Sequence, residues 1–323
     1  MADPLTWIVV FLVSIIVLIK ASDYFTDSAE KIGLFFKIPP FIIGVTIVAI
    51  GTSLPELISS IIAVMKGSPG IVAGNVVGSN IANIFFVLGI AAIISKKVIK
   101  IEFELIHVDL PMLIGSAFLL TLTFLDGVFT FGEGLLSIAG IILYLIYTST
   151  TKREHRDFEI SDKVKKEEKV LEEKKLNWTT ILILIASSIF IFIGAKYTVE
   201  SVIELSQIFS IGAEVIAASA VALGTSLPEL MVTVSAARKG QTEMALGNVL
   251  GSNVFNSFAV MGIAVLFGDI TIPSSILTFA LPVMVIATLL YFFITLGKEI
   301  TKWEGWLLII FYIFFIGKLF NLF

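Results

Sequence analysis

Residues 51–57 read GTSLPEL, and the same seven letters return at residues 224–230. A second motif follows each copy, as GNVVGSN at 74–80 and GNVLGSN at 247–253. Both pairs have the same offset of 173 residues, from 51 to 224 and from 74 to 247. Each copy places a glutamate, hydroxyls, amides and a proline within an apolar segment. Charge inside hydrocarbon is costly, so an intramembrane carboxylate indicates a functional site.

The composition is that of a helical membrane protein. The chain has 323 residues, of which 57% are hydrophobic and 15% are charged, and its mean hydropathy is +1.01. These values exclude an ordinary soluble domain and are typical of an all-α polytopic membrane protein. Cysteine is absent, which excludes a disulfide framework, a thiolate metal site and a cysteine nucleophile.

Apolar stretches of spanning length occur in two sets of five. We predict the spans at roughly 5–30, 39–65, 70–95, 106–125 and 130–150, and again at roughly 178–204, 212–237, 242–268, 273–296 and 303–322. Between the sets lies a charged segment of mixed sign that is typical of a solvated linker. The sequence thus predicts a first five-helix repeat at 1–150, a linker at 151–177 and a second five-helix repeat at 178–323.

The basic residues predict the orientation. One side of the predicted membrane carries most of them, namely Lys31, Lys37, Lys96, Lys97, Lys100, the basic residues of the linker, Arg238, Lys239, Lys298 and Lys302. The other side carries only Lys66 and Lys318. Because cytoplasmic loops are enriched in lysine and arginine, we expect a multi-pass protein of the cell membrane with a cytoplasmic linker and both termini outside.

The odd number of spans in each repeat predicts that the two halves are inverted. If the first repeat starts outside, the second starts inside, although the two sequences align directly. Inverted repeats that meet at a site near the membrane midplane are typical of alternating-access transporters.

The proline of each GTSLPEL motif predicts an irregular helix. Pro55 and Pro228 lack an N–H, and each ring clashes with the carbonyl four residues earlier. We therefore expect helices 2 and 7 to be broken at these prolines, which leaves backbone carbonyls free at 49–52 and 222–225. Free carbonyls at membrane depth are tolerated only where they are buried or line a cavity.

These groups together predict a cation site made only of oxygen. The carboxylates of Glu56 and Glu229 supply a charge of −2, and nearby hydroxyls belong to Thr52, Ser53, Thr225 and Ser226. Calcium binds about 6–8 oxygen ligands in flexible geometry. A softer metal would favour thiolate or imidazole ligands, and the motifs contain neither.

The second motif has two interpretations. Ser79 and Asn83 are four residues apart and share a helix face, as do Ser252 and Asn256, so their side chains are candidate ligands. Alternatively, the motif lets helices approach closely and uses its polar residues for bonds between helices. This alternative applies most directly to Asn75, Asn80, Asn248 and Asn253.

Charged residues near the ends of spans 1 and 6 are expected to pair or to extend to the membrane interface. Asp23 and Lys196 are counterparts at the offset of 173, and Lys20 and Glu200 lie close to them in sequence. We expect no ligand role for these four residues.

At these motifs the chain resembles the cation/calcium exchanger superfamily, and within it the prokaryotic sodium/calcium exchanger branch. The resemblance covers the whole chain and implies ten transmembrane helices around a central cluster of cation sites. It implies that Glu56 and Glu229 hold calcium with the carbonyls of Thr52 and Thr225. It also implies sodium ligands at the same carboxylates, at the carbonyls of Ala49 and Ala222, and at Ser53, Ser226, Ser79 and Ser252, with Asn83 and Asn256 completing the centre.

One departure from the superfamily pattern bears on the ions. Some relatives, including potassium-dependent exchangers, carry aspartate where this chain has Asn256. The amide argues against potassium co-transport and leaves a centre with two carboxylates. The linker is also too short to hold the calcium-sensing domains of animal exchangers.

We therefore predict a secondary antiporter that exchanges sodium for calcium, with no cofactor and no obligatory protein or nucleic-acid partner. Proton/calcium exchange on the same scaffold is an alternative, because carboxylates in a low-dielectric site can bind protons. A cation channel is a second alternative, since channels also use rings of oxygen ligands. An intramembrane hydrolase is not supported, because the sequence shows no HExxH motif and no serine–histidine pair, and we expect no enzyme activity.

Overall fold

The computed structural model describes residues 4–95, 98–101, 108–158, 177–208, 226–320 and 322. The described residues form ten helices. These are α1 (Pro4–Phe35), α2 (Pro40–Met65), α3 (Gly70–Ile94), α4 (Asp109–Phe124), α5 (Phe131–Phe158), α6 (Trp178–Ile208), α7 (Leu227–Lys239), α8 (Thr242–Phe267), α9 (Ile276–Leu296) and α10 (Lys302–Leu319). Four two-residue strands lie between helices: β1 (Ile99–Lys100), β2 (Val128–Phe129), β3 (Ile270–Thr271) and β4 (Glu299–Ile300).

The helices are those of a multi-pass membrane protein. Among the described helices, seven are long and apolar enough to cross a membrane: α1, α2, α3, α5, α6, α8 and α9. Helix α4 is apolar but shorter. Most of the predicted span 212–237 lies outside the described residues, which begin again at Ser226. The all-helical membrane class predicted from the composition is confirmed.

Matching caps start the last helix of each half. The Glu133 carboxylate accepts bonds from the N–H of Thr130 at 2.7 Å and from its hydroxyl at 2.8 Å. The Glu304 carboxylate accepts the same two bonds from Thr301, at 2.6 and 3.0 Å. Such a cap satisfies N–H groups that a helix start leaves without partners, so it fixes where α5 and α10 begin.

Helix α2 corrects one expectation. The helix is not broken at Pro55, because the segment Ala49–Met65 is α-helical through the proline. The irregular turn lies earlier, where Gly44–Val48 is π-helical. A proline removes one helix hydrogen bond, and in membrane helices a local π turn together with neighbouring groups can accommodate this loss.

The second proline lies at a helix start. Helix α7 begins at Leu227 with Pro228 in its first turn, a position where the missing N–H removes no helix bond. A break at Pro228 agrees with this start, and the residues 209–225 before it lie outside the described residues. Helix α7 ends at Gly240, whose positive φ of 82° suits glycine at a helix C-terminus.

The four short strands pair between the halves in a repeated pattern. Ile99 pairs with Ile300, and Ile270 pairs with Phe129, both in antiparallel ladders. At an offset of 171 residues, Ile99 corresponds to Ile270 and Phe129 to Ile300. One pair is therefore mapped onto the other when the two halves are exchanged.

Glycine contacts between helices follow the same relation. A Cβ on Gly89 of α3 would lie 3.1 Å from the Gly305 carbonyl on α10. A Cβ on Gly262 of α8 would lie 3.0 Å from the Gly134 carbonyl on α5. The small residues let the backbones approach closely, as is common between membrane helices, and they place α3 and α8 in equivalent surroundings.

Helices α3 and α8 lie at the centre of the bundle, whereas α1 and α6 lie at its edge. In the most apolar stretch, 89% of the α8 residues are buried, against 22% for both α1 and α6. Helices α1 and α6 pack against each other, with the hydroxyl of Thr198 donating to Ser14 Oγ at 2.9 Å and Gly194 against Leu18. The motif-bearing helices are therefore enclosed, and the α1–α6 pair packs outside them.

Candidate cation site

Two buried carboxylates from different halves lie near each other at the centre of the bundle. Glu56 on α2 is 0% exposed and Glu229 on α7 is 1% exposed. The hydroxyl of Ser53 on α2 donates a hydrogen bond to Glu229 Oε1 at 3.1 Å. Glu56 lies close enough to Glu229 for the two side chains to interact electrostatically, so both belong to one buried site.

Buried polar atoms without a hydrogen-bond partner occur mainly on the candidate ligands. In the described residues there are thirteen such side-chain atoms, and nine of them are both carboxylate oxygens of Glu56, Glu229 Oε2, the hydroxyls of Ser226 and Ser252, and both amide atoms of Asn83 and Asn256. A buried polar group without a partner costs about 1–3 kcal/mol, and native proteins contain few of them. Their concentration on the predicted ligand residues fits a site that binds cations.

Two asparagines hold the motif helices together. The Asn75 amide donates to the hydroxyl of Ser60 at 3.2 Å, and the Asn248 amide donates to that of Thr233 at 2.8 Å. These two bonds are equivalent at the offset of 173. Asn248 Oδ1 also accepts a bond from the Thr52 hydroxyl at 3.2 Å. The structure therefore favours interhelical bonding for Asn75 and Asn248.

Asn80 and Asn253, which are themselves counterparts, meet between the halves. The Asn80 amide donates to the Ser257 hydroxyl at 2.9 Å and to the Asn253 carbonyl at 3.4 Å. The Asn253 amide donates to the carbonyl of Val249 at 2.7 Å. The two Asn80 bonds join α3 to α8, in keeping with the second interpretation of the motif.

Two π-helical turns, which no sequence pattern predicted, begin at candidate ligands. Asn83 opens a π turn at Asn83–Leu88, and its counterpart Asn256 opens one at Asn256–Val260. Such turns occur often at functional sites because the extra residue redirects side chains and carbonyls. The sequence signal that could have identified these positions is the asparagine that lies four residues after the serine of each second motif.

Some of the remaining candidate ligands lie within the described residues and others lie outside them. Ala49 and Ser79 are buried, and the Thr52 hydroxyl donates to the Ala49 carbonyl at 3.3 Å. Ala222 and Thr225 lie outside the described residues, so the structure places ten of the twelve predicted ligand residues.

The chemistry of the described site suits a hard cation. Its groups are carboxylates, hydroxyls and amides, which are the oxygen ligands that calcium prefers. No group of three or more histidine, cysteine, aspartate and glutamate residues that could hold a metal occurs within the described ranges. Charges taken out of water need opposite charges to offset the cost, and a divalent cation balances the two carboxylates.

An enclosed, repeated site of this kind within a helical membrane bundle defines a multi-pass ion transporter. A family model described as sodium/calcium exchanger protein matches residues 6–150 and 179–320, and the chain belongs to this family, in the prokaryotic branch of the cation/calcium exchanger superfamily. The family consists of antiporters, not enzymes.

Two curated relatives match almost the whole chain. Sodium/calcium exchanger MaX1 of Methanosarcina acetivorans is 37% identical over 96% of this chain and 97% of its own length. The putative antiporter CaxA of Alkalimonas amylolytica is 32% identical over 94% of this chain and 95% of its own length.

The fold is similar to that of a solved exchanger. A structure of the sodium–calcium exchanger NCX_Mj, soaked with sodium and strontium, superposes with a TM-score of 0.82 at 30% identity. The match covers 98% of this chain and 99% of that structure. The similarity therefore extends over both halves of the chain.

Proposed function

We propose that this protein is a secondary antiporter that exchanges sodium for calcium by alternating access. The observation that carries this proposal is the pair of buried carboxylates, Glu56 and Glu229, among hydroxyls and amides without protein partners. The family and the names of its relatives support the identity of the two ions.

Exchange follows from shared ligands. Calcium and sodium both need Glu56 and Glu229, so binding of one displaces the other. Burying two unneutralised carboxylates is costly, and the closed site is therefore stable only when cations are bound. This cost prevents the empty carrier from crossing and couples the two fluxes.

The architecture proposed for this cycle is ten spans in two inverted repeats, at 1–150 and 178–323, joined by a cytoplasmic linker at 151–177. With ten spans, an even number of membrane crossings separates β1 from β4, so these two strands lie on one side of the membrane. An even number also separates β2 from β3, and these two strands lie on the other side. The observed pairing of β1 with β4 and of β2 with β3 supports this topology. The distribution of basic residues supports a linker inside and both termini outside.

The twelve ligands are proposed to act in three groups. Calcium is held by the two carboxylates and the carbonyls of Thr52 and Thr225. Sodium uses the same carboxylates and the groups of Ala49, Ala222, Ser53, Ser226, Ser79 and Ser252. The amides of Asn83 and Asn256 complete the centre without adding charge, and this neutrality argues against a potassium requirement.

Proton/calcium exchange is the alternative with a specific observation in its favour. Carboxylate oxygens that lack protein partners, as at Glu56, can bind protons as well as cations. A channel is less well supported, because inverted repeats around an enclosed site are the architecture of carriers.

Ion flux in proteoliposomes tests the proposal. Calcium uptake by the purified protein is measured with an outward gradient of sodium, of protons or of potassium in turn. We expect uptake with the sodium gradient alone. Equal uptake with a proton gradient in sodium-free buffer would favour the proton exchanger, and uptake that continues without any counter-gradient would favour a channel.

A further inference from the structure

One end of α1 is tied to one end of α7 by a charged cluster. Lys239 Nζ lies 2.7 Å from Asp27 Oδ1 and donates to the Asp23 carbonyl at 2.8 Å. The hydroxyl of Ser235 donates to Asp23 Oδ1 at 2.6 Å, and the amide of Gln241 donates to Glu30. Three successive acidic positions of α1 are therefore each bonded to the end of α7 or to Gln241, which precedes α8.

The same part of α1 closes over the motif helix. The Phe25 ring is buried against Gly51 of α2, where a Cβ would lie 2.8 Å from the ring. Phe25 lies between Asp23 and Asp27 in sequence. Contacts that hold these aspartates to α7 therefore also hold the ring over the first residue of the GTSLPEL motif.

The counterpart cluster in the other half is not formed. At the offset of 173, Asp27 corresponds to Glu200, Asp23 to Lys196 and Lys239 to Lys66. In the described part of the chain neither Lys66 nor Glu200 forms an ion pair, and Lys196 Nζ lies 5.6 Å from the Tyr197 ring centroid.

Helix packing shows the same difference between the two ends. Helix α1 packs along α7, whereas α6 barely contacts α2, although these two pairs are equivalent at the offset of 173. Within the described residues, α1 is thus packed closely on α7 and α6 only loosely on α2. Such a difference is expected of a carrier that is accessible from one side at a time.

We propose that Asp23, Asp27, Ser235 and Lys239 form a latch that keeps α1 on α7 and must open when the carrier changes sides. The inference rests on the proposed alternating access. The opposite state would bring Glu200 towards Lys66, and Lys196 beside them would weaken that pair by like-charge repulsion. The sequence difference between Asp23 and Lys196 therefore favours the state in which α1 is latched.

The partial exposure of the latch sets its strength. The side chain of Lys239 is 28% exposed and that of Asp27 is 45% exposed, and exposed ion pairs contribute little individually. We therefore expect loss of the Lys239 charge to change the ratio of the two states several-fold, not to abolish exchange.

A cysteine reporter tests the latch without ion flux. The chain has no cysteine, so Thr26→Cys provides one thiol at a buried position of α1. Adding Lys239→Gln should raise the thiol labelling rate several-fold. The control is Lys100→Gln, which removes an exposed ion pair with Glu299 that does not involve α1. An unchanged labelling rate in Lys239→Gln, or an equal rise in the control, would overturn the proposal.

Cross-linking provides a second test that does not depend on the reporter. In Asp23→Cys/Ser235→Cys the two thiols replace side chains in direct contact. Oxidation should stop exchange, reduction should restore it, and each single cysteine variant should be insensitive to oxidant. If the cross-linked protein exchanged ions as fast as the protein with reduced thiols, α1 and α7 would not need to separate. If the protein transports no calcium under any gradient, the labelling experiment still reports on the latch.

Discussion

The hydroxyl of Ser53 on α2 donates a hydrogen bond of 3.1 Å to the carboxylate of Glu229 on α7, across 176 residues of sequence. The bond joins the GTSLPEL motif of one half to that of the other. Neither half holds the site alone, so a cation bound by both glutamates also stabilises the contact between the two motif helices.

Removing either carboxylate should remove calcium transport. Glu56→Gln and Glu229→Gln keep the shape of the side chain but each deletes half of the charge that balances calcium. Disrupting a buried charge pair costs about 3–5 kcal/mol, which corresponds to a loss of roughly two to four orders of magnitude in calcium affinity. The measurement is calcium flux into proteoliposomes.

The control for these variants is Glu299→Gln, which removes an exposed carboxylate in β4. It should transport calcium at the wild-type rate. Near-normal flux in Glu56→Gln or Glu229→Gln would remove that residue from the proposed site.

Close packing of α2 on α8 should make one glycine of the second motif sensitive to size. A Cβ on Gly247 would lie 2.3 Å from the Phe41 carbonyl and 3.0 Å from the Val45 nitrogen. Overpacking of this kind costs about 1–3 kcal/mol, so Gly247→Ala should lower the unfolding temperature of the purified protein.

Gly115→Ala is the matched control, because in the middle of α4 a Cβ meets nothing within 4 Å. Alanine is the better helix former by up to about 1 kcal/mol, and this variant should be at least as stable as the wild type. A Gly247→Ala variant as stable as Gly115→Ala would show that α2 and α8 do not pack as described.

Potassium should have no effect on transport. Asn83 and Asn256 are both amides, so the centre offers two negative charges and no third carboxylate. Sodium-driven calcium uptake should therefore be the same when choline replaces potassium on both sides of the vesicle. A strict potassium requirement would mean that Asn256 does not have the role assigned to it.

Acid should weaken calcium binding. Protonation of Glu56 or Glu229 removes a charge that calcium needs, so protons and calcium compete and the apparent calcium KM should rise as pH falls. The measurement is sodium-driven uptake from about pH 8 to about pH 5, over which protein carboxylates at functional sites titrate. The inhibition should disappear at saturating calcium. A KM that is constant over this range would show that protons do not reach the carboxylates that bind calcium.

The sequence predicted the membrane class and the family because both depend on local signals. Apolar length defines the spans, and the two copies of GTSLPEL identify the residues around the site. Glu56 and Glu229 lie within such spans, where a charge exposed to lipid is costly. Their burial inside the protein could therefore be predicted.

Other features depend on tertiary contacts that no local pattern shows. Pro55 predicted a break, but whether a helix breaks or absorbs a proline depends on the π turn at Gly44–Val48 and the helices around it. The ties from Lys239 to Asp23 and Asp27 join residues more than two hundred positions apart. The same holds for the pairing of β1 with β4, since two-residue strands have no periodicity to detect.

The central claim is that sodium and calcium use one set of ligands, and same-side competition tests it most directly. Initial calcium uptake is measured into sodium-loaded proteoliposomes while sodium is also raised outside. If Glu56 and Glu229 serve both ions, external sodium should raise the apparent KM for calcium steeply, and saturating calcium should restore the maximal rate. A maximal rate that falls while the calcium KM stays constant would mean that sodium binds elsewhere, and it would contradict the shared site.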